Sequence, residues 1–184
     1  GAIDSLKIEG RTKAPYYAAI TAKVYRQAID DYYAENFDGD TYQKELNTMQ
    51  NRGFTDAYLI NRPFEKHDTQ NLDFSMMMGT HQVAGLVDES GDFFECKYKT
   101  FPGDVLEIVC PDPSKLVPFD NDLGTISNIN GMWTIRFKEL RAESGKVWNQ
   151  IHSGNLNRFH LPMHLPPYSF FRIEAHEDMG TIAK

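Results

Sequence analysis

His81-Gln82-Val83-Ala84-Gly85-Leu86-Val87, then Asp88-Glu89-Ser90-Gly91-Asp92, then Phe93-Phe94-Glu95-Cys96-Lys97-Tyr98-Lys99, marks where the chain changes character. The first run ends in a polar cluster containing Gly91. The second sets Phe94, Cys96 and Tyr98 at period two, so the stretch reads as two strands and their turn. The pattern continues downstream. Phe101-Pro102-Gly103-Asp104 is a turn, residues 105–110 are a strand, and Pro111, Pro113 and Pro118 mark a loop. Met132-Trp133-Thr134-Ile135-Arg136-Phe137 alternates, with Trp133, Ile135 and Phe137 opposed to Thr134 and Arg136. Ser144-Gly145 turns the chain into residues 146–151, and residues 169–174 form the last strand. Short strands punctuated by Gly and Pro predict a small antiparallel β-barrel, closed or nearly so.

Upstream the period is helical. Pro15 suits a first helical turn. Tyr17, Ile20, Val24, Ala28 and Tyr32 form an apolar stripe over residues 15–34, widened by Tyr25 and Ile29. These tyrosines read as core and rim packing. After Asp38-Gly39, Asp40 is the expected cap of a second helix, with Gln43 at capping-box spacing. Tyr42, Leu46 and Met49 form its apolar face, and Gly53 stops it, leaving Arg52 projecting from a tight corner. Residues 61–80 show no sustained period and read as a connector, with Met76-Met77-Met78 as a gap filler.

Ahead of the first helix, Ser5-Leu6-Lys7-Ile8-Glu9-Gly10-Arg11-Thr12-Lys13 reads as a short strand broken at Gly10. Lys7 and Glu9 share one face, Leu6 and Ile8 the other. Nothing before it completes a sheet, so it is expected to be the last strand of a larger domain. The fold expectation is therefore α+β: an N-terminal strand remnant and two helices (residues 1–60), a connector (61–80) and a small antiparallel β-barrel (81–184).

The 184 residues are 41% apolar, with 12 Phe and 9 Tyr, which fits one or two folded domains and excludes a disordered chain. A net charge of −7 argues against a general nucleic-acid-coating protein. The charge is uneven: Lys7, Arg11, Lys13, Lys23 and Arg26 face only Asp4 and Glu9 in the first 26 residues. That basic face reads either as a local contact for an RNA backbone or as a solvated helix surface. Cys96 and Cys110 form no C-x-x-C and are expected to be free, buried thiols in a reducing, cytoplasmic setting. No apolar run is long enough to span a bilayer.

Four constellations could carry chemistry. Lys7, Glu9, Arg11 and Lys13 combine cations for an anionic group with a carboxylate able to move a proton; a structural ion pair is the alternative. His152, His160, His164 and His176 could supply imidazoles to a metal, but Pro162 excludes the helical two-histidine arrangement, and surface histidines are the expectation. Nucleophilic hydrolysis lacks a G-x-S-x-G elbow, and no Gly-rich phosphate loop is present. Finally, Trp133, Trp148, Phe159, Tyr168, Phe170 and Phe171 could stack on single-stranded RNA. Phe159 and Tyr168 flank Pro-rich loops and are the ones expected to be exposed.

The segment Asp4–Lys13, with Tyr16-Tyr17 and Val24-Tyr25-Arg26-Gln27-Ala28-Ile29-Asp30, resembles peptidase family U32, the collagenase-like peptidases of unassigned catalytic type. The likeness is greatest to its branch of bacterial tRNA hydroxylation proteins. Asn51-Arg52-Gly53-Phe54-Thr55, Gln70-Asn71, Phe101-Pro102-Gly103-Asp104 and Leu106-Glu107-Ile108 fit later family motifs, and the match fades beyond residue 111. The resemblance implies a TIM-like barrel ahead of this region, with residues 4–11 as its final strand and turn. It implies a full-length parent that hydroxylates the tRNA wobble uridine, with tRNA as partner, prephenate and an iron–sulfur cluster. No cofactor is expected in this piece, which should be inactive alone. Other family members were named proteases, so an unfolded peptide is the rival substrate. Lys7, Glu9 and Arg11 match the motif and would line the barrel mouth as catalytic candidates. Lys13, Arg52 and Phe159 are the substrate-binding candidates.

Overall fold

A computed structural model describes residue 5, residues 7–49 and residues 79–175. The chain divides into two units, Gly1–Thr80 and His81–Lys184. Arg52, Gly53, Gln70-Asn71, Met76-Met77-Met78 and His176, singled out above, lie outside the described residues, as does all of the connector before Gly79.

In the first unit, helix α1 (Pro15–Tyr33) starts at a proline whose missing N–H costs nothing there. Its buried face is Tyr16, Ile20, Thr21 and Val24: Ile20 and Val24 of the expected stripe are buried, while Tyr16 takes the place expected for Tyr17. Tyr25, Ile29, Tyr32 and Tyr33 are exposed. The physical reason is length: α2 (Gly39–Leu46) has eight residues, and so short a helix covers only a narrow face of its neighbour. The cap of α2 is Asp38, not Asp40. In extended conformation, Asp38 folds its carboxylate back onto the N–H groups of Asp40 (3.1 Å) and Thr41 (3.4 Å). Tyr42 donates to Asp31 (2.7 Å), Lys23 pairs with Glu45 (2.9 Å), and the Tyr16 and Thr48 hydroxyls meet at 3.3 Å. Residues 7–10 form no strand. Among the described residues no strand lies beside them, and a strand exists only through a neighbour's backbone.

The second unit holds ten strands among the described residues: β1 (His81–Val87), β2 (Phe93–Cys96), β3 (Val105–Val109), β4 (Phe119–Asp120), β5 (Gly124–Ile129), β6 (Met132–Phe137), β7 (Leu140–Arg141), β8 (Val147–Trp148), β9 (Arg158–His160) and β10 (Phe170–Glu174). Eight of them form one sheet in the order β4-β5-β6-β3-β10-β1-β2-β9, and β7-β8 form a second. Every pairing is antiparallel. The large sheet curls into a half-barrel. Its far strand β9 is tied by the Phe159–Ala142 bridge and by Glu143 N–H donating to the Arg158 carbonyl (2.9 Å). Asn121 Nδ2 reaches the Pro162 carbonyl at 2.9 Å. The two edges are therefore held by isolated bonds and not by a closed ladder.

Four fully buried phenylalanines fill the curl. Phe94 stacks on Phe137 (4.8 Å between ring centroids) and meets Phe171 (5.4 Å) and Phe159 (5.8 Å). The register of β1 shifts between Val83 and Gly85, and a Cβ on Gly85 would stand 3.0 Å from both the Phe94 and Phe171 rings. Glycine is what lets those rings approach the backbone. Phe159 belongs to this core at 0% exposure, so it is no stacking platform, contrary to expectation. It sits at the middle of a strand whose inner face closes the curl, and loops on either side do not alter that. Tyr168 is exposed as expected.

Candidate functional site

The leading candidate is the segment entering α1. Glu9 is its hub: one carboxylate oxygen lies 3.7 Å from Lys7 Nζ and the other accepts the Arg11 backbone N–H at 3.3 Å. Lys7, Glu9 and Arg11 are thus brought together on one open stretch. The Lys7 and Glu9 side chains are 87% and 68% exposed, so this pair adds little stability and both groups are free to meet a ligand. The Arg11 guanidinium has no carboxylate partner among the described residues. Lys13 stands over the Tyr17 ring at 5.6 Å, and its N–H closes a turn onto the Gly10 carbonyl (3.0 Å). Arg11 and Lys13 thus stand immediately before the start of α1 in the chain. There Ala14 offers no side-chain cap and the first turn carries no acid. Two cations beside an uncapped helix start favour an anion, through charge and through the helix dipole. Arg52 lies outside the described residues, and Phe159 is in the core of the other unit.

The sheet unit holds an ion pair that sequence reasoning missed. Arg172 Nε and Nη2 bind both oxygens of Glu107 (2.8 and 2.7 Å), and His81 Nε2 lies 3.8 Å from the same carboxylate. The Arg172 side chain is 6% exposed. Register places Arg172 directly opposite Glu107. No local signal joins them in the sequence: β3 holds Glu107 alone, but β10 carries both Arg172 and Glu174, and only register shows which charge meets Glu107.

A second network clamps the β1–β2 turn to β9. Asp88 accepts from Ser90 N–H (3.1 Å), the Ser90 hydroxyl (2.6 Å), Gly91 N–H (3.1 Å) and Arg158 Nη1 (3.1 Å). Arg158 also forks onto Glu143 at 3.1 and 2.6 Å. Burial pushes the Asp88 carboxyl up, but the Ser90, Arg158 and Gly91 donors outweigh it and hold it below the usual carboxylate range. A depressed carboxyl stabilises the fold fully above its unfolded pKa and loses that contribution as pH falls through the folded value. Asp88→Asn is therefore expected to be less stable than the parent chain near neutrality. The gap should narrow as pH drops below about 4, measured by urea unfolding at stepped pH.

The histidines do not converge. His160 packs on Phe93 (4.6 Å), His164 Nδ1 lies 3.2 Å from Asp92, and His152 meets Gln150 (3.0 Å). Among the described residues no group of three or more His, Cys, Asp or Glu is arranged to hold a metal ion. Cys96 and Cys110 are free and buried. Burial raises both thiols, and Cys96 Sγ is engaged with the Tyr98 carbonyl (2.7 Å). Neither is presented as a thiolate, so these cysteines do not fit an iron–sulfur cluster. Among the described residues no helix is long and apolar enough to cross a membrane.

Comparison with known proteins adds to this geometry. Residues 1–69 match peptidase family U32. The chain is 43% identical over 174 residues to the tRNA hydroxylation protein P of Helicobacter pylori (strain J99), covering 95% of this chain and 41% of that protein. It is 38% identical over 114 residues to the tRNA hydroxylation protein P of Escherichia coli (strain K12), covering 59% of this chain and 25% of that protein. A collagenase of Porphyromonas gingivalis is 35% identical over 57 residues, 29% of this chain and 16% of that protein. The chain thus spans about two fifths of the length of the H. pylori relative, 41% by the alignment. No solved structure matches.

Proposed function

We propose, for a chain that belongs to peptidase family U32, that it works as the C-terminal part of a longer cytoplasmic protein that hydroxylates uridine at the tRNA wobble position. The single observation that carries this is the 43% identity to a tRNA hydroxylation protein over 95% of the chain, helices and sheet unit alike. The collagenase likeness covers only 29% of the chain, so hydrolysis of an unfolded peptide is the second reading.

In this reading Arg11 and Lys13, beside the uncapped start of α1, bind an anionic group: a nucleotide phosphate, or a carboxylate of the prephenate that the family resemblance implies. Glu9 orients Lys7 and carries a proton at its carboxylate. An iron–sulfur cluster, if the whole protein needs one, would be held by residues outside this chain's described part, and no step here runs through it. The sheet unit helps to position tRNA.

The test is mass spectrometry of tRNA nucleosides from cells lacking the full-length protein, complemented by variants. Deletion should abolish hydroxylated uridine and the parent gene should restore it. Arg11→Ala and Glu9→Gln should each restore less than about a tenth, while Lys115→Ala, at a surface pair with Asp112, should restore it fully. Unchanged hydroxylated uridine on deletion would refute the tRNA reading. Cleavage of unfolded collagen by the purified full-length protein, lost in the Glu9 variant, would favour the second.

A further inference from the structure

We infer that the sheet unit contacts a single-stranded stretch of RNA through the outer face around the Thr100–Ile151 bridge, with Phe101 as the stacking surface and Lys99 and Arg136 as phosphate contacts. The inference rests on the tRNA reading above and gives it a docking surface.

The argument begins with register. Thr100 and Ile151 exchange both backbone hydrogen bonds (3.0 and 2.9 Å), and both side chains are buried. Their neighbours along each strand therefore point outward. Lys99 stands opposite His152, and Phe101 stands opposite Gln150. Lys99 Nζ sits over the Phe101 ring at 4.8 Å, and Phe101 is 39% exposed. Gly103 N–H donates to the Phe137 carbonyl (2.7 Å), which brings the Phe101 turn beside exposed Arg136. Along the other strand, exposed Lys146 covers the half-buried Trp148 ring at 4.4 Å. Trp148 itself belongs to the core side, opposite buried Leu140 and against Phe159 (6.2 Å), so Lys146 covers that ring and not the Phe101 face.

Charge pairing then separates this face from the rest. Six described cations of the sheet unit sit on carboxylates: Lys97 on Glu95, Lys115 on Asp112, Lys138 on Asp120, Arg141 on Glu139, Arg158 on Glu143 and Arg172 on Glu107. Lys99, Arg136 and Lys146 have no carboxylate partner among the described residues. Lys99 covers the exposed Phe101 ring and Arg136 follows the turn that carries it, while Lys146 covers a different ring, Trp148. The acid at this turn, Asp104, is turned to its own backbone, accepting the Phe101 N–H at 2.8 Å. Flat rings interleaved with unneutralised cations suit bases and phosphates of a flexible strand. An acidic peptide would use the cations but would leave the ring without a role.

The test is fluorescence anisotropy of labelled oligouridine with the 184-residue chain, titrated at several salt concentrations, with duplex RNA and polyglutamate as competitors. The chain should bind oligouridine more tightly than duplex. Phe101→Ala should weaken binding by about fivefold to a hundredfold, the range for loss of one stacking ring. Lys99→Ala with Arg136→Ala should lower the slope of log K against log salt by about 0.7 per cation removed. Lys115→Ala removes the same charge from a paired site and should leave both unchanged. Phe101→Leu keeps the volume without the π-face, and should weaken binding with an unaltered melting curve. Equal losses for Lys115→Ala and Lys99→Ala would overturn the inference, as would Phe101→Leu binding like the parent or polyglutamate outcompeting oligouridine. Loss of hydroxylated uridine on deletion, together with unimpaired binding by these variants, would sink this surface alone; unaltered uridine on deletion would sink the tRNA reading.

Discussion

Phe94→Ala is expected to lower the unfolding free energy by about 3–5 kcal/mol, a large share of the 5–15 kcal/mol typical of a small domain. Phe94 stands at the centre of the curl, fully buried, with Phe137, Phe159 and Phe171 all within 5.8 Å between ring centroids. Removing it strips three ring contacts at once. The cavity cannot close readily, because the neighbouring rings sit on β6, β9 and β10, whose positions are fixed by ladders and bridges. Guanidinium unfolding followed by tryptophan fluorescence measures it, since Trp148 lies against Phe159 (6.2 Å). Phe94→Leu should cost less, for it leaves a smaller void. A cost below about 1 kcal/mol for Phe94→Ala would mean that the four rings are not a shared core.

Glu107→Ala is expected to cost about 3–5 kcal/mol, for a different reason. The Glu107 carboxylate takes both forks of the Arg172 guanidinium, and the Arg172 side chain is almost wholly removed from water. Without Glu107, a buried cation loses its bidentate partner while still bearing the cost of desolvation. Arg172→Met removes the charge instead, and the double variant Glu107→Ala with Arg172→Met should cost less than the two single changes combined. A double-mutant cycle by urea unfolding measures the coupling. Strictly additive costs would show that the two side chains do not act as a pair.

Much of the fold could be read in the chain, and the exceptions are instructive. β1, β2, β3, β6 and β10 stand where alternation and turn residues put them. β5 escaped notice because Gly124-Thr125-Ile126-Ser127 carries one large apolar residue. Its Asn130-Gly131 turn, with both φ values positive (53° and 88°), is the local signal that could have revealed the hairpin. β8 lies within the strand expected at residues 146–151, though it is shorter, whereas β4, β7 and β9 hold two or three residues each, too few to show a period. In the first unit Asp38 and Asp40 are both plausible caps by type, and only the backbone angles distinguish them. At the candidate site, the grouping of Lys7, Glu9 and Arg11 was readable because they are neighbours along the chain. The Arg172–Glu107 pair was not, since 65 residues separate its members and only strand register joins them.

Local chemistry was enough to establish the helices, the turn positions, the antiparallel strands and the cluster of charges before α1, because each depends on residues within a turn or two. Which phenylalanine is enclosed, which tyrosine faces water, and which lysine keeps its charge unopposed were decided by the folded chain alone. These outcomes depend on how far the sheet curls and on what register sets opposite each side chain, and both are sums over distant contacts.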